Sequence, residues 1–206
     1  MASFDSLVLR VKQECPSLMD ITATSAVRDA VREFLRSTEV WQTEIEYTLP
    51  GNTAFLDLST LLPTDAEVMR ISSAFAAGIP LRKATPDTLL KAKNRFVSSS
   101  TPRLILQRLL TFEVFPVNSV ATEIKLNVIL RPSKSSNYID DAVLDEWEEG
   151  FAAATLFKLM MQPKKPWTNP ESASFYRGRY FTNLSQAKGQ ALTANGAEQQ
   201  QFNKFI

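Results

Sequence analysis

The chain has no histidine among its 206 residues and only one cysteine, Cys15. Without an imidazole to accept a proton at neutral pH, a serine or cysteine nucleophile activated by histidine is excluded. A lone thiol excludes a structural zinc site, a CxxC redox pair and an internal disulfide framework. Cys15 precedes Pro16, and it reads as a small buried hydrophobe ending a helix. Six glycines are scattered and form neither GxGxxG nor GxxxxGK[ST], so a phosphate cradle has no support and no cofactor is expected. No apolar run reaches the roughly 18 residues that cross a bilayer. Residues 1–15 mix charge with apolar side chains where a signal peptide would carry an apolar core, so synthesis in the cytoplasm and no membrane partner are expected. Charge of one sign is also lacking: 23 basic against 22 acidic residues leave +1, without the basic footprint of a DNA-coating protein.

What is present is the composition of a globular protein, 44% hydrophobic and 22% charged, enough to bury a core in one or two domains. Phe4, Leu7, Val8 and Val11 fall at helical spacing before Pro16, predicting a helix over about 3–14. Val27, Ala30, Val31, Phe34 and Leu35 form the apolar stripe of a second helix over 21–38, with Thr22 or Thr24 available as its cap. The period then changes from 3.6 to 2. Trp41, Thr43, Ile45, Tyr47 and Leu49 alternate with polar residues up to the turn Pro50-Gly51-Asn52. Short strands at 53–58, 67–74 and 79–82, separated by turn signals, read as a meander.

Thr85-Pro86-Asp87 supplies a cap, a first-turn proline and a first-turn acid for a short helix to about residue 96. Strands are predicted over 103–115 and 123–131. In the second, Ile124, Leu126, Val128 and Leu130 face one way. Long helices follow at 145–161, with the small residues Gly150, Ala152, Ala153 and Ala154 allowing close approach of a neighbour, and at 170–193 behind the Asn169-Pro170 cap. On the last helix Phe175 and Phe181 stand off the main apolar stripe, which suggests more than one neighbour. Helices, strands and helices in that order predict an α+β fold. Residues 1–40 and 132–193 would form a helical bundle, 41–131 an inserted antiparallel β region with one short helix, and 194–206 an extended C-terminal arm.

Three features invite a chemical reading. Ser185 and Lys188 have the Ser-x-x-Lys spacing in which a lysine activates a serine, but no Ser-Asp-Asn or Lys-Thr-Gly accompanies them. Asp140, Asp141, Asp145, Glu146, Glu148 and Glu149 form a dense acidic cluster. Carboxylates suit a hard cation, yet the spacing is not that of a calcium loop, and acids at a helix start are favoured by the dipole. Charge is also unevenly placed. Residues 82–108 carry seven cations (Arg82, Lys83, Lys91, Lys93, Arg95, Arg103 and Arg108) against Asp87, or +6, whereas 139–149 carry −6. The two segments are solvated faces, or a nucleic-acid contact on the basic side, or the two halves of a heterologous contact that closes a ring. In the last case Lys91, Lys93 and Arg95 of one copy meet Asp140, Asp141, Asp145 and Glu148 of the next. The final 13 residues are polar with an apolar tip and need a partner to hold one conformation, so Phe202, Phe205 and Ile206 read as anchors on another chain.

The order of segments, with Ile21-Thr22-Ala23-Thr24-Ser25-Ala26-Val27-Arg28-Asp29-Ala30-Val31-Arg32-Glu33-Phe34, Leu56-Asp57-Leu58 before Leu62-Pro63, and Leu130-Arg131-Pro132-Ser133, resembles bacteriophage head-to-tail adaptor (connector) proteins. The closing part, Asp145-Glu146-Trp147-Glu148-Glu149-Gly150-Phe151 with Met161-Gln162-Pro163-Lys164-Lys165-Pro166-Trp167, is similar to their paired helices. The resemblance implies a noncatalytic virion protein at the head-tail junction, assembled as a ring that is commonly of twelve copies. It implies a portal protein on the helical side, a tail tube or nozzle protein on the β side, and genomic DNA passing through the lumen without sequence-specific contact. It further implies that the C-terminal segment reaches the portal, making Phe202, Lys204, Phe205 and Ile206 the portal contacts. The rivals are a nucleic-acid-binding protein using the 82–108 segment, a hydrolase using Ser185 and Lys188, and another tail-completion or nozzle component.

Overall fold

The computed structural model describes residues 1–58, 60–95, 101–108 and 111–194. In chain order its elements are β1 (Ala2–Ser3), α1 (Asp5–Glu14), α2 (Asp20–Thr38), β2 (Gln42–Leu49), β3 (Phe55–Asp57), β4 (Ala66–Ala76), β5 (Ile79–Pro80) and β6 (Arg82–Lys83). There follow α3 (Pro86–Arg95), β7 (Leu104–Arg108), β8 (Thr111–Phe115), β9 (Thr122–Pro132), β10 (Tyr138–Ile139), α4 (Asp141–Met160) and α5 (Pro170–Ala194). The protein is mixed α+β, and the chain divides into two compact units, one of residues 1–40 with 134–206, the other of 41–133.

In the first unit α4 packs against α5, α2 and α1, and α2 also meets α1 and α5. The helices form where the apolar spacing predicts them. Leu7 and Val11 of α1 and Ala23, Val27, Ala30, Val31, Phe34 and Leu35 of α2 are buried. Cys15, buried and unpaired, is the residue at which α1 ends. Neither Thr22 nor Thr24 caps α2. The helix begins one residue before the predicted start, at Asp20 behind Met19 and ahead of both threonines, because nothing in Leu18-Met19-Asp20 opposes helical geometry after the Pro16 break. It ends where Glu39 turns left-handed at φ 59° and donates its N–H to the Leu35 carbonyl.

Phe34 is the centre of this unit, with ring centroids 5.0 Å from Phe151 in an edge-on pair, 5.9 Å from Trp147 and 6.3 Å from Tyr180. Gly150 makes that approach possible: a Cβ there would stand 2.9 Å from Phe34 Cε2 and 3.1 Å from Asn183 Cβ. Helix α4 starts at Asp141, four residues before the predicted Asp145, because the Asp140 carboxylate accepts the Ala142 N–H at 3.0 Å and caps it there. The Asn169 cap of α5 is present, its side-chain oxygen accepting the Ser172 N–H at 3.1 Å. The short β1–β10 pair, not predicted, is followed by the Phe4 N–H bond to the Asn137 carbonyl.

The second unit holds two four-stranded sheets, in the orders β2-β9-β4-β5 and β3-β8-β7-β6. This is not a meander. Strand β9, whose Ile124, Leu126, Val128, Ile129 and Leu130 are all buried, takes the centre of the first sheet, between β2 and β4. The pairs are antiparallel except for β6 with β7, which runs parallel. The strand predicted over 103–115 is a hairpin, β7 and β8, with Arg108 opposite Thr111. The sequence between them, Leu109-Leu110, contains none of the residues that announce a turn. Strand β4 is irregular at Met69 and at Ser72. Gln107, from β7 in the other sheet, accepts the Ile71 N–H at 3.3 Å and donates to the Met69 carbonyl at 3.4 Å. One amide thus serves two backbone groups beside a bulge and links the sheets.

Candidate functional site

The basic segment is largely engaged within its own unit. Thr85 caps α3 by accepting the Thr88 N–H at 3.2 Å, with Pro86 in the first turn as predicted. Leu89 is buried, and Lys91 pairs with Asp87 one turn back at 2.7 Å. Lys93 donates to Glu113 Oε1. On the same carboxylate, Arg108 places Nη2 at 2.9 Å and Nε at 3.0 Å from Oε2. Arg95 is the last residue of α3. Arg82 and Arg103 are exposed and carry no ion pair among the described residues. Glu113, 1% exposed between buried Phe112 and Val114, is the residue that sequence reasoning missed. Its signal was an acid inside an apolar strand, five residues beyond a segment with seven cations and one acid.

The acidic segment divides in two. Asp140 caps α4 and Asp141 takes the amino terminus at 3.1 Å. Glu149 pairs with Arg179 of α5 at 2.5 Å, and Glu146 accepts from Gln190 at 3.0 Å. Asp145 and Glu148 have no hydrogen-bond or ion-pair partner among the described residues, and Asp145 is exposed. Among the described residues no group of three or more histidine, cysteine, aspartate or glutamate side chains is placed to hold a metal ion.

Helix α5 buries only a narrow seam, Ala173, Tyr180, Ala187 and Ala191. Its other sides expose Phe175 by 60%, Phe181 by 49% and Leu192 by 61%. Gly178 and Gly189 have nothing within 4 Å of where a Cβ would lie. Glycine inside a helix costs about 0.5–1 kcal/mol relative to alanine, and the packing of this chain does not call for it at either position. Arg177 stacks over Phe181 at 5.7 Å and Arg179 over Phe175 at 5.4 Å, so both aromatic rings are held in place on the surface.

Two cavities complete the picture. In the first unit a pit of about 110 Å³ is floored by Ala152, Ala153 and Leu156 and walled by Arg10, Glu14, Glu149, Tyr176 and Arg179. Burial, then the neighbouring Glu14, raises the Tyr176 hydroxyl pKa above its ordinary value. The pit holds two acids and two arginines, so its charges balance. In the second unit a cavity of about 330 Å³ lies between β4, β6 and β7, with Ile71, Ile105 and Leu106 inside and Arg70, Lys83 and Gln107 around it. Ser185 and Lys188 are exposed on α5 and line neither cavity.

Phe202, Lys204, Phe205 and Ile206 lie outside the described residues. Among the described residues no helix is long and apolar enough to cross a membrane. Compared with known proteins, the sequence matches no family model and no curated protein.

Proposed function

We propose that this chain is a noncatalytic structural protein of a bacteriophage virion that forms a ring joining the portal to the tail and passes DNA through its lumen. The observation that carries the reading is the outer side of α5, where Phe175, Phe181 and Leu192 stand in solvent beside two unfilled glycine positions. Fully burying one such apolar side chain stabilises by about 1.5–3 kcal/mol, so a helix this exposed gains by being covered by another chain. The segment-by-segment resemblance to head-to-tail adaptors supplies the identity of the assembly. In that reading the terminal helices form a bundle facing the portal, the β region faces a tail tube or nozzle protein, and residues 194–206 extend onto the portal through Phe202, Lys204, Phe205 and Ile206. The site of action is the virion's head-tail junction.

Electron microscopy of the full chain mixed with portal tests this. Rings seated on one end of the portal are the expected result, and portals that stay bare at micromolar protein contradict it. Deletion of residues 195–206 should leave the rings intact and weaken their portal contact.

A second reading, nucleic-acid binding through 82–108, is favoured by Arg82 and Arg103, which are exposed and carry no ion pair among the described residues. Against it, Lys91, Lys93 and Arg108 already hold carboxylates. Filter binding across salt concentrations separates the two, since phosphate contacts make affinity fall steeply with salt.

A further inference from the structure

Once the ion pairs within α4 and α5 are assigned, Asp145 and Glu148 of α4 and Glu171, Arg177 and Lys188 of α5 are left over among the described residues. On α4, Asp140 and Asp141 are used locally, and Glu146 and Glu149 are used against α5. Asp145 and Glu148 have no partner among the described residues. On α5, Arg179 is used, while Arg177 and Lys188 are exposed and have no carboxylate partner among the described residues. Arg177, Phe181, Ser185, Lys188 and Leu192 follow one another at intervals of four, four, three and four, which sets them in one stripe along the helix. That stripe has an exposed aromatic ring, an exposed leucine and two cations without a carboxylate partner among the described residues.

We infer that the Arg177–Phe181–Lys188–Leu192 stripe of α5 is the surface on which a second copy of this chain docks through Asp145 and Glu148 at the start of its own α4. The inference rests on the ring reading and names the contact that would build the ring. Complementary charge selects the occupant: two cations on one surface and two carboxylates on another, each left over in the same chain. The two surfaces are different patches, so the contact is heterologous, and repeating it carries each copy to the next rather than closing a dimer. It also moves the basic half of the contact from α3, where Lys91 and Lys93 are paired internally, to α5.

The test is charge reversal read as assembled mass by light scattering at about 50 mM salt, where screening is weak. Asp145→Lys with Glu148→Lys makes both surfaces basic, and Arg177→Glu with Lys188→Glu makes both acidic. Each double variant alone is expected to lose self-association by at least about tenfold, as like charges face each other. An equimolar mixture of the two should recover assembly, because every contact then joins opposite charges. Recovery in the mixture also shows that neither variant is misfolded. If either variant assembles as the wild type does, or if the mixture stays apart, the proposed surface is wrong, although a wild-type ring would still support the adaptor reading. A wild-type chain that stays single in the same buffer overturns both.

Discussion

Arg108 and Glu113 lie two apart in the β7–β8 hairpin register, and the guanidinium sets Nη2 2.9 Å and Nε 3.0 Å from one oxygen of a carboxylate that is only 1% exposed. Lys93 of α3 takes the other oxygen, so this buried acid ties the short helix to the sheet. The two cations keep contact with solvent, but the acid does not.

The asymmetry predicts unequal mutational costs. Glu113→Gln leaves two cations that rehydrate and should cost about 1–2 kcal/mol. Lys93→Ala with Arg108→Ala strands a buried carboxylate and should cost about 3 kcal/mol or more. Urea unfolding of the two variants measures both. Equal costs would mean that the acid is not held as described. Because Lys93 serves the fold, reversing its charge is not a clean probe of assembly.

Gly150→Ala should destabilise the helical unit although alanine favours helix. The new Cβ would meet the fully buried Phe34 ring at 2.9 Å and Asn183 Cβ at 3.1 Å. Overpacking of this kind costs about 1–3 kcal/mol, against about 1 kcal/mol gained in propensity. A lowered thermal midpoint checks it. Gly178→Ala and Gly189→Ala, in open space, should leave the stability of the single chain unchanged or raised.

Asp140→Ala removes the acceptor for the Ala142 N–H and should cost about 1 kcal/mol, as loss of an N-cap does. Asp140→Asn should recover most of it. Chemical denaturation of both variants distinguishes a cap from a mere charge effect.

Stability should fall under alkaline conditions. Burial first, then Glu14, raises the Cys15 thiol above its ordinary 9.0. Burial, then Glu33, raises the Tyr180 hydroxyl above 10.0, and Tyr176 is shifted the same way. The folded chain holds these protons to higher pH than the unfolded chain does. Their contribution is therefore complete below about pH 9 and is lost as pH rises through the folded values. Lys125, raised mainly by its hydrogen bonds to Glu46 and Glu123, acts in the same direction. Unfolding midpoints compared at pH 7.5 and 10.5 should show the fall, and Cys15→Ala should make it shallower.

Local signals in the sequence were read where a single element decides its own fate. Phe34 and Val27 announced the apolar side of α2, Asn169-Pro170 and Thr85-Pro86 opened α5 and α3, and the alternation of Ile124, Leu126 and Val128 announced β9. What escaped depends on partners far along the chain. Strand order is set by which strand buries most, so β9 lies between β2 and β4 despite the distance in sequence. The hairpin at Arg108 and Thr111 lacks turn residues, and the Met69 and Ser72 irregularities make sense only beside Gln107. The charged segments were visible as runs, but which charges were spent internally was not. Lys93 meets Glu113 across 20 residues and Glu149 meets Arg179 across 30, pairings that only the folded chain reveals. Phe175 and Phe181 were legible as standing off the helical stripe, but the second neighbour their position suggests is not supplied within the chain, where both are exposed.

The most direct test of the adaptor account is the mass of the purified full chain by analytical ultracentrifugation at micromolar concentration and low salt. The account predicts a closed assembly of many 23.1 kDa copies that dissociates as salt rises. A single sharp species of one copy, unchanged by concentration or salt, would contradict it.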